Sequence, residues 1–344
     1  MRAAVMGMGS WGTAFAMVLA DAGNDVRLWG RDPAAVASLN IEHQNPKFHP
    51  GVDLPVAMSA TADAGAALAG AELVVLAVPA QTLRENLSRW GAQIPPDAVV
   101  ASLMKGLERG SGLRMSQVVV ELVPGADERV AVISGPNLAG EIAQRQPAAT
   151  VVAAPLESVA QRIQEACKTP YFRPYTNTDV VGVELAGVVK NVIALAAGMT
   201  KGLGFGDNSQ AAIITRGLAE MTRLGLAMGA EPLTFMGLAG VGDLVATCMS
   251  PLSRNRTFGE NLGRGMTVDE VVQITEQTAE GVKSAPAVLD LGRRLGVDLP
   301  ITEHVTAVVL EGLTPRDMVQ RLMAREAKPE WAGGRDPGDD TTAG

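Results

Sequence analysis

The chain has 344 residues, 47% hydrophobic and 19% charged, the composition of a compact protein with room for about two domains of roughly 150 residues. Its formal charge of −8 argues against a nucleic-acid surface, which needs clustered Lys and Arg. Cys167 and Cys248 lack metal-ligand spacing and read as reduced thiols. No basic leader runs into a long apolar stretch, and no run of about 18 uncharged apolar residues marks a membrane span. A cytoplasmic protein with no membrane insertion and no nucleic-acid partner is the expectation.

Residues 3–6 form a short apolar run and 13–20 a helix with little polar surface, and between them stand Gly7, Gly9 and Gly12. In a strand, turn and helix unit this G-x-G-x-x-G spacing suits a diphosphate at a helix N-terminus. Gly7 allows the tight turn, Gly9 the close approach of backbone to phosphate, and Gly12 the packing of helix on strand. A dinucleotide is expected, against the plainer reading of an ordinary turn. The second strand, 25–29, is followed by Arg31 and Asp32. Arginine there stacks on adenine or pairs with a 2′-phosphate, whereas Asp32 suits an unphosphorylated ribose, so NADPH and NADH both stay open.

Further β-rich runs at 71–79, 97–106, 128–137 and 149–155 alternate with helix-like segments. They predict a mainly parallel sheet covered on both faces, a Rossmann-like domain over residues 1–178. The turns at 79–81, 105–106 and 135–137 fall at the carboxyl ends of strands, where such sheets bind ligands. From about residue 179 the pattern is helical, which predicts an all-α domain over 179–327 and an α/β fold class overall. Residues 328–344, rich in Gly, Asp and Pro, read as a disordered tail.

In the first long helical segment Val183, Leu185, Val188, Val189, Val192, Ile193 and Leu195 cover nearly the whole circumference, leaving Lys190 no polar face. Such a lysine is either structural, paired with one carboxylate, or a proton donor and acceptor whose pKa burial draws toward neutrality. Residues 237–259 hold a second cluster. Asp243 follows a glycine-rich turn in the position of a helix cap. Ser253 reads as the N-cap of the next helix, with Arg254 and Asn255 in its first turn beside unpaired amides, an arrangement that holds a phosphate. Arg256 points to another side of that helix, so Arg254 is favoured. The stretch "TKGLGFGDN" lacks the features of a Walker loop and reads as a link into a helix capped at Asp207 or Ser209. His43, His49 and His304 are scattered, and no metal site is expected.

The blocks "GMGSWGTAFA", "LMKGLE", "SGPNLAGEIA", "ELAGVVKNVIALAAGM", "GLGFGDNSQAAIITRGLAEM", "GLAGVGDLVATCMSPLSRNRTFG" and "AEGVKSAPAV" resemble, in order over residues 3 to about 320, the motifs of soluble bacterial NAD(P)-dependent glycerol-3-phosphate dehydrogenases. The resemblance implies reduction of dihydroxyacetone phosphate to sn-glycerol 3-phosphate, a phospholipid precursor, with NADPH or NADH, in a protein that is commonly a homodimer. It implies that Gly7, Gly9, Ser10, Trp11, Gly12, Arg31, Lys105, Ala139, Arg254, Thr278 and Glu280 bind the cofactor. Lys105, Gly135, Asn137, Lys190, Asp243, Ser253, Arg254 and Asn255 would bind the phosphorylated substrate, with Lys190 catalytic. Many relatives carry "GPSFA" where this chain has "GPNLA", and Asp32 often differs, so Asp32 is left outside the site. Competing readings are a dehydrogenase acting on a carboxylate, an NAD(P)-sensing module without catalysis, and a methyltransferase.

Overall fold

The computed structural model describes residues 1–275, 279–327, 329 and 330. One sheet contains β1 (Arg2–Met6), β2 (Asp25–Trp29), β3 (Met58–Thr61), β4 (Leu73–Leu76), β5 (Val99–Ser102), β6 (Val130–Ser134), β7 (Ala148–Ala153) and β8 (Phe172–Asn177). Their order is β3-β2-β1-β4-β5-β6-β7-β8. Neighbours run parallel except β6 and β7, which are antiparallel. Every residue of β4 and β6 is buried, as expected of strands covered on both faces.

The cover consists of α1 (Ser10–Asp21), α2 (Pro33–Glu42), α3 (Ala64–Leu68), α4 (Leu83–Trp90), α5 (Met115–Leu122), α6 (Ala139–Ala143) and α7 (Glu157–Cys167). Phe15, Leu19 and Phe172 pack together in one core layer, and Leu68, Leu87 and Trp90 in another. The strand pattern predicts a mainly parallel sheet but not β3 or β8. Neither carries a continuous apolar run, and β8 alternates buried with exposed residues as an edge strand does.

Beyond β8 the chain is helical: α8 (Val180–Gly202), α9 (Asp207–Ala227), α10 (Pro232–Met236), a π-helical turn (Leu238–Gly242), α11 (Asp243–Met249), α12 (Arg254–Gly263), α13 (Val268–Thr275), α14 (Glu280–Arg294), α15 (Pro300–Glu311) and α16 (Pro315–Met323). By length and composition α8 is long and apolar enough to cross a membrane, yet 89% of that window is buried inside the protein. Every residue from 182 to 200 is enclosed, and α8 is the axis around which the other helices pack.

Four glycines set the closest of these contacts. A methyl group on Gly198 or Gly202 of α8 would strike the carbonyls of Arg256 or Glu260 in α12, and one on Gly259 or Gly263 would strike those of Leu195 or Met199 in α8. The two backbones therefore touch. This contact brings the N-terminus of α12, with Ser253, Arg254 and Asn255, to Asn191, which Asn255 bonds and which follows Lys190 in the chain. The helix entered through "TKGLGFGDN" is capped by Gly206, with no side-chain cap at all, and not by Asp207 or Ser209. The proposed tail at 328–344 lies outside the described residues except for Pro329 and Glu330.

Candidate active site

The three N-terminal glycines act in three different ways. Gly7 has φ +137°, and a side chain there would meet the Ala77 carbonyl, while one on Gly12 would meet Gly7 itself. Gly9 precedes the first residue of α1, and no described atom lies within 4 Å of where its Cβ would be. Gly7 and Gly12 are thus required by the protein's own packing, and Gly9 leaves open backbone at an uncapped helix start, which fits a dinucleotide diphosphate.

The loop is braced from behind. His49 Nε2 donates to the Ser10 carbonyl at 2.7 Å, and Asn45 Nδ2 donates to Met8 O at 3.1 Å and Thr13 Oγ1 at 2.9 Å. His49, which has no ligand spacing in the sequence, is a strut. Trp11 stands edge-on to Phe15 and buries its indole N–H without a protein partner among the described residues. Arg31 is exposed just after β2, whereas Asp32 caps α2 by accepting from Ala34 N at 2.9 Å. Ala139 and Glu280 open α6 and α14. Thr278 lies outside the described residues.

The chemical centre is a carboxylate between two ammonium groups. Asp243, 2% exposed, accepts from Lys190 Nζ through Oδ1 at 2.6 Å and from Lys105 Nζ through Oδ2 at 2.6 Å. Lys190 also donates to Thr247 Oγ1 at 2.7 Å, and Lys105 to the Gly135 carbonyl at 3.3 Å. An ammonium has three donors, so each lysine keeps one N–H beyond these bonds. The sequence position of Asp243 predicts a helix cap. The N-cap is instead Gly242, and the carboxylate crosses to Lys105, 138 residues away in the chain.

Burial pushes the Lys190 pKa down to about 8; Asp243 opposes that shift and Lys105 adds to it. Burial would raise Asp243, but Lys105 and Lys190 together hold it below the ordinary carboxylate value. Glu280 is raised by burial against the pull of Arg254, Lys105, Lys190 and Lys283.

Around this centre the predicted residues converge unequally. Ser253 caps α12, accepting from Arg256 N at 3.3 Å, and Arg254 is exposed in the first turn. Arg256 pairs with Glu260 at 3.0 Å on another side of the helix. The Asn255 carboxamide ties helices together, donating to Asn191 Oδ1 at 2.9 Å and accepting from Gly281 N at 2.8 Å. Asn137 Nδ2 donates to Thr150 Oγ1 at 2.8 Å, and its Oδ1 is buried with no partner among the described residues. Thr247, Asn191 and Thr150 join the site without having been singled out in the sequence. Only Thr247 carried a local signal, since it lies four residues from Asp243 on one helix face. Among the described residues no cluster of three His, Cys, Asp or Glu side chains suits a metal ion.

Family models for NAD-dependent glycerol-3-phosphate dehydrogenase match the chain in two blocks, the N-terminal one over residues 2–160 and the C-terminal one over 179–320. Glycerol-3-phosphate dehydrogenase [NAD(P)+] of Streptomyces griseus is 61% identical over 329 residues, covering 96% of this chain and 98% of the relative. The Thermobifida fusca protein of the same name is 59% identical over 333 residues, covering 96% and 99%. Glycerol-3-phosphate dehydrogenase from Coxiella burnetii superposes with a TM-score of 0.89 at 38% identity, covering 94% of this chain and 99% of that one. With a glycine loop open at Gly9, a buried Lys190–Asp243–Lys105 centre and matches over both halves, the chain belongs to the family of NAD-dependent glycerol-3-phosphate dehydrogenases, NAD(P)-linked oxidoreductases.

Proposed function

We propose that this protein interconverts dihydroxyacetone phosphate and sn-glycerol 3-phosphate with Lys190 as the proton donor and acceptor. The observation that carries the reading is the ammonium of Lys190, 6% exposed, facing Asp243 beside Lys105. Bound NAD(P)H supplies a hydride to the ketone carbon. As negative charge develops on the ketone oxygen, the remaining N–H of Lys190 protonates it while that of Lys105 stabilises it. Asp243 keeps both amines aimed and offsets part of their mutual repulsion. In the oxidation direction neutral Lys190 takes the hydroxyl proton.

The first turn of α12 and Arg254 hold the phosphate, remote from the reacting carbon, so that its binding energy orients the ketone. Gly135 and Asn137 line the substrate's other side. Gly7, Gly9, Ser10, Trp11 and Gly12 cradle the dinucleotide diphosphate and adjoining groups, with Arg31, Ala139, Thr278 and Glu280 around it. In this reading residues 1–178 bind most of the cofactor and supply Lys105, 179–327 carry Lys190, Asp243 and the phosphate groups and complete the cofactor site through Arg254, Thr278 and Glu280, and 328–344 are a tail. The protein works in the cytoplasm, without nucleic acid or membrane insertion, as a homodimer whose product feeds glycerophospholipid synthesis. The exposed Leu233, Met236 and Met249 on α10 and α11 favour such a pairing.

The test is coenzyme oxidation with dihydroxyacetone phosphate. Lys190→Ala is expected to lower kcat about 100-fold or more while NADPH binding stays near that of the wild type. Turnover within a few-fold of wild type would remove the proton-transfer role.

A further inference from the structure

A second buried ion pair crosses between the two halves of the molecule. Glu184 lies on α8, its side chain wholly enclosed, and pairs with Arg114 at 2.8 Å. It also accepts from Ser116 N at 2.8 Å and Ser116 Oγ at 2.6 Å, so every polar partner it has belongs to the entrance of α5 in the sheet half.

The segment it grips is the one that delivers Lys105. After Lys105 the chain makes a loop closed on itself: Leu107 bridges Arg114 in antiparallel fashion, and Glu108 N donates to Leu113 O at 2.9 Å. Gln81 clasps it, donating to Leu107 O at 2.8 Å and accepting from Arg109 N at 3.1 Å. Lys105 stands at the start of the loop and Arg114 at its end. Glu184, Gly187 and Lys190 follow at intervals of three along α8. A methyl on Gly187 would lie 3.3 Å from Lys105 Cγ and 3.0 Å from Ser134 Oγ, so the lysine stem passes directly over α8 there.

We infer that Glu184 is a positioning residue for catalysis: it anchors the 105–114 loop to α8 so that the Lys105 ammonium reaches Asp243 and, through it, Lys190. The inference rests on the acid–base roles proposed above for Lys105 and Lys190. A carboxylate serving only to hold two domains together would tolerate any change that left the fold intact. Glu184 would not, because a loop displaced by about 1 Å is enough to lower turnover substantially.

The consequence is readable in pH. The titratable and charged groups around Lys190 are Asp243 and the Cys248 thiol from α11, Lys105 from the loop and Glu280 from α14; burial pushes the thiol up to about 12, so it stays neutral over the range tested. Lys105 lowers the Lys190 pKa, so drawing Lys105 away raises it. Glu184→Gln removes the negative charge facing Arg114 and turns one of the two acceptor oxygens into a donor. It is expected to lower kcat for dihydroxyacetone phosphate about tenfold or more and to move the alkaline limb of kcat up by about half a pH unit or more, with NADPH affinity changed no more than in Lys105→Met. Ser116→Ala, which leaves the ion pair, should move both in the same direction by less, and it carries the test if Glu184→Gln does not fold.

Lys105→Met separates the two levels. It should shift the limb upward by itself, and adding Glu184→Gln should then cause little further loss, because both act through one amine. If Lys105→Met leaves kcat and the limb unchanged, the role of Lys105 fails and this inference with it. If Lys105→Met has its effect but Glu184→Gln lowers only the melting temperature, or the two losses simply multiply, Glu184 is structural and the inference is overturned.

Discussion

At the scale of single residues, the pKa of Lys190 near 8 fixes opposite pH dependences for the two directions. Ketone reduction needs the ammonium, so kcat should be flat below about pH 7 and fall as pH rises through about 8. Alcohol oxidation needs the neutral amine and should rise over the same interval. Initial rates in both directions between pH 6 and 10 check this, and two limbs of the same sign would exclude one shared group. Arg31 and Asp32 divide a second question. The Asp32 carboxylate caps α2 by accepting from Ala34 N, and in the proposed function the exposed Arg31 is the charge beside the adenosine ribose. Arg31→Ala should therefore raise KM for NADPH about tenfold or more, the loss of a charge-assisted contact to a 2′-phosphate, and change KM for NADH far less. Equal effects on both coenzymes would show that the arginine does not meet that phosphate.

At the scale of elements, the approach of α8 to α12 sets where the first turn of α12, the proposed phosphate site, lies. Gly259→Ala places a methyl against the Leu195 carbonyl, and such overpacking costs about 1–3 kcal/mol. The expected result is a melting temperature lower by several degrees, about 3–10 °C, with KM for dihydroxyacetone phosphate raised as the start of α12 is pushed from Asn191. Gly140→Ala in α6, where no described atom lies within 4 Å, is the control and should leave the melting temperature unchanged or slightly higher. What the sequence made legible follows the same division. Long apolar runs revealed β1, β4, β5 and β6, and periodicity revealed α8, because burial on all sides is written locally. The four-residue β3 and the half-exposed β8 carry no such run. The glycine contacts of α8 with α12, and the turn of Asp243 from cap to ion pair, depend on partners far away in the chain, so residue pattern alone gave Lys190 and Arg254 as candidates but not their distances.

At the scale of the whole molecule, a chain of net charge −8 brings two ammonium groups onto one carboxylate where its two halves meet. Lys105 comes from the sheet half, and Lys190 and Asp243 come from the helical half. These three groups carry two positive charges against one negative, which suits an anionic substrate and leaves Asp243 as the balance of the site. Asp243→Asn tests that balance. The amide keeps the size of the side chain but no longer offsets two buried ammonium groups, and breaking a buried pair on one side costs about 3–5 kcal/mol when the remaining charge stays. Asp243 raises the Lys190 pKa in the intact site, so its neutralisation should lower it. The alkaline limb of ketone reduction should then begin at lower pH, the opposite of the shift expected when Lys105 is drawn away. Because the glycine cradle of Gly7, Gly9 and Gly12 belongs to the sheet half, NADPH affinity measured by fluorescence should fall far less than turnover. A limb that moves upward, or affinity lost in parallel with turnover, would mean that Asp243 holds the two halves in register and not the protonation state of Lys190.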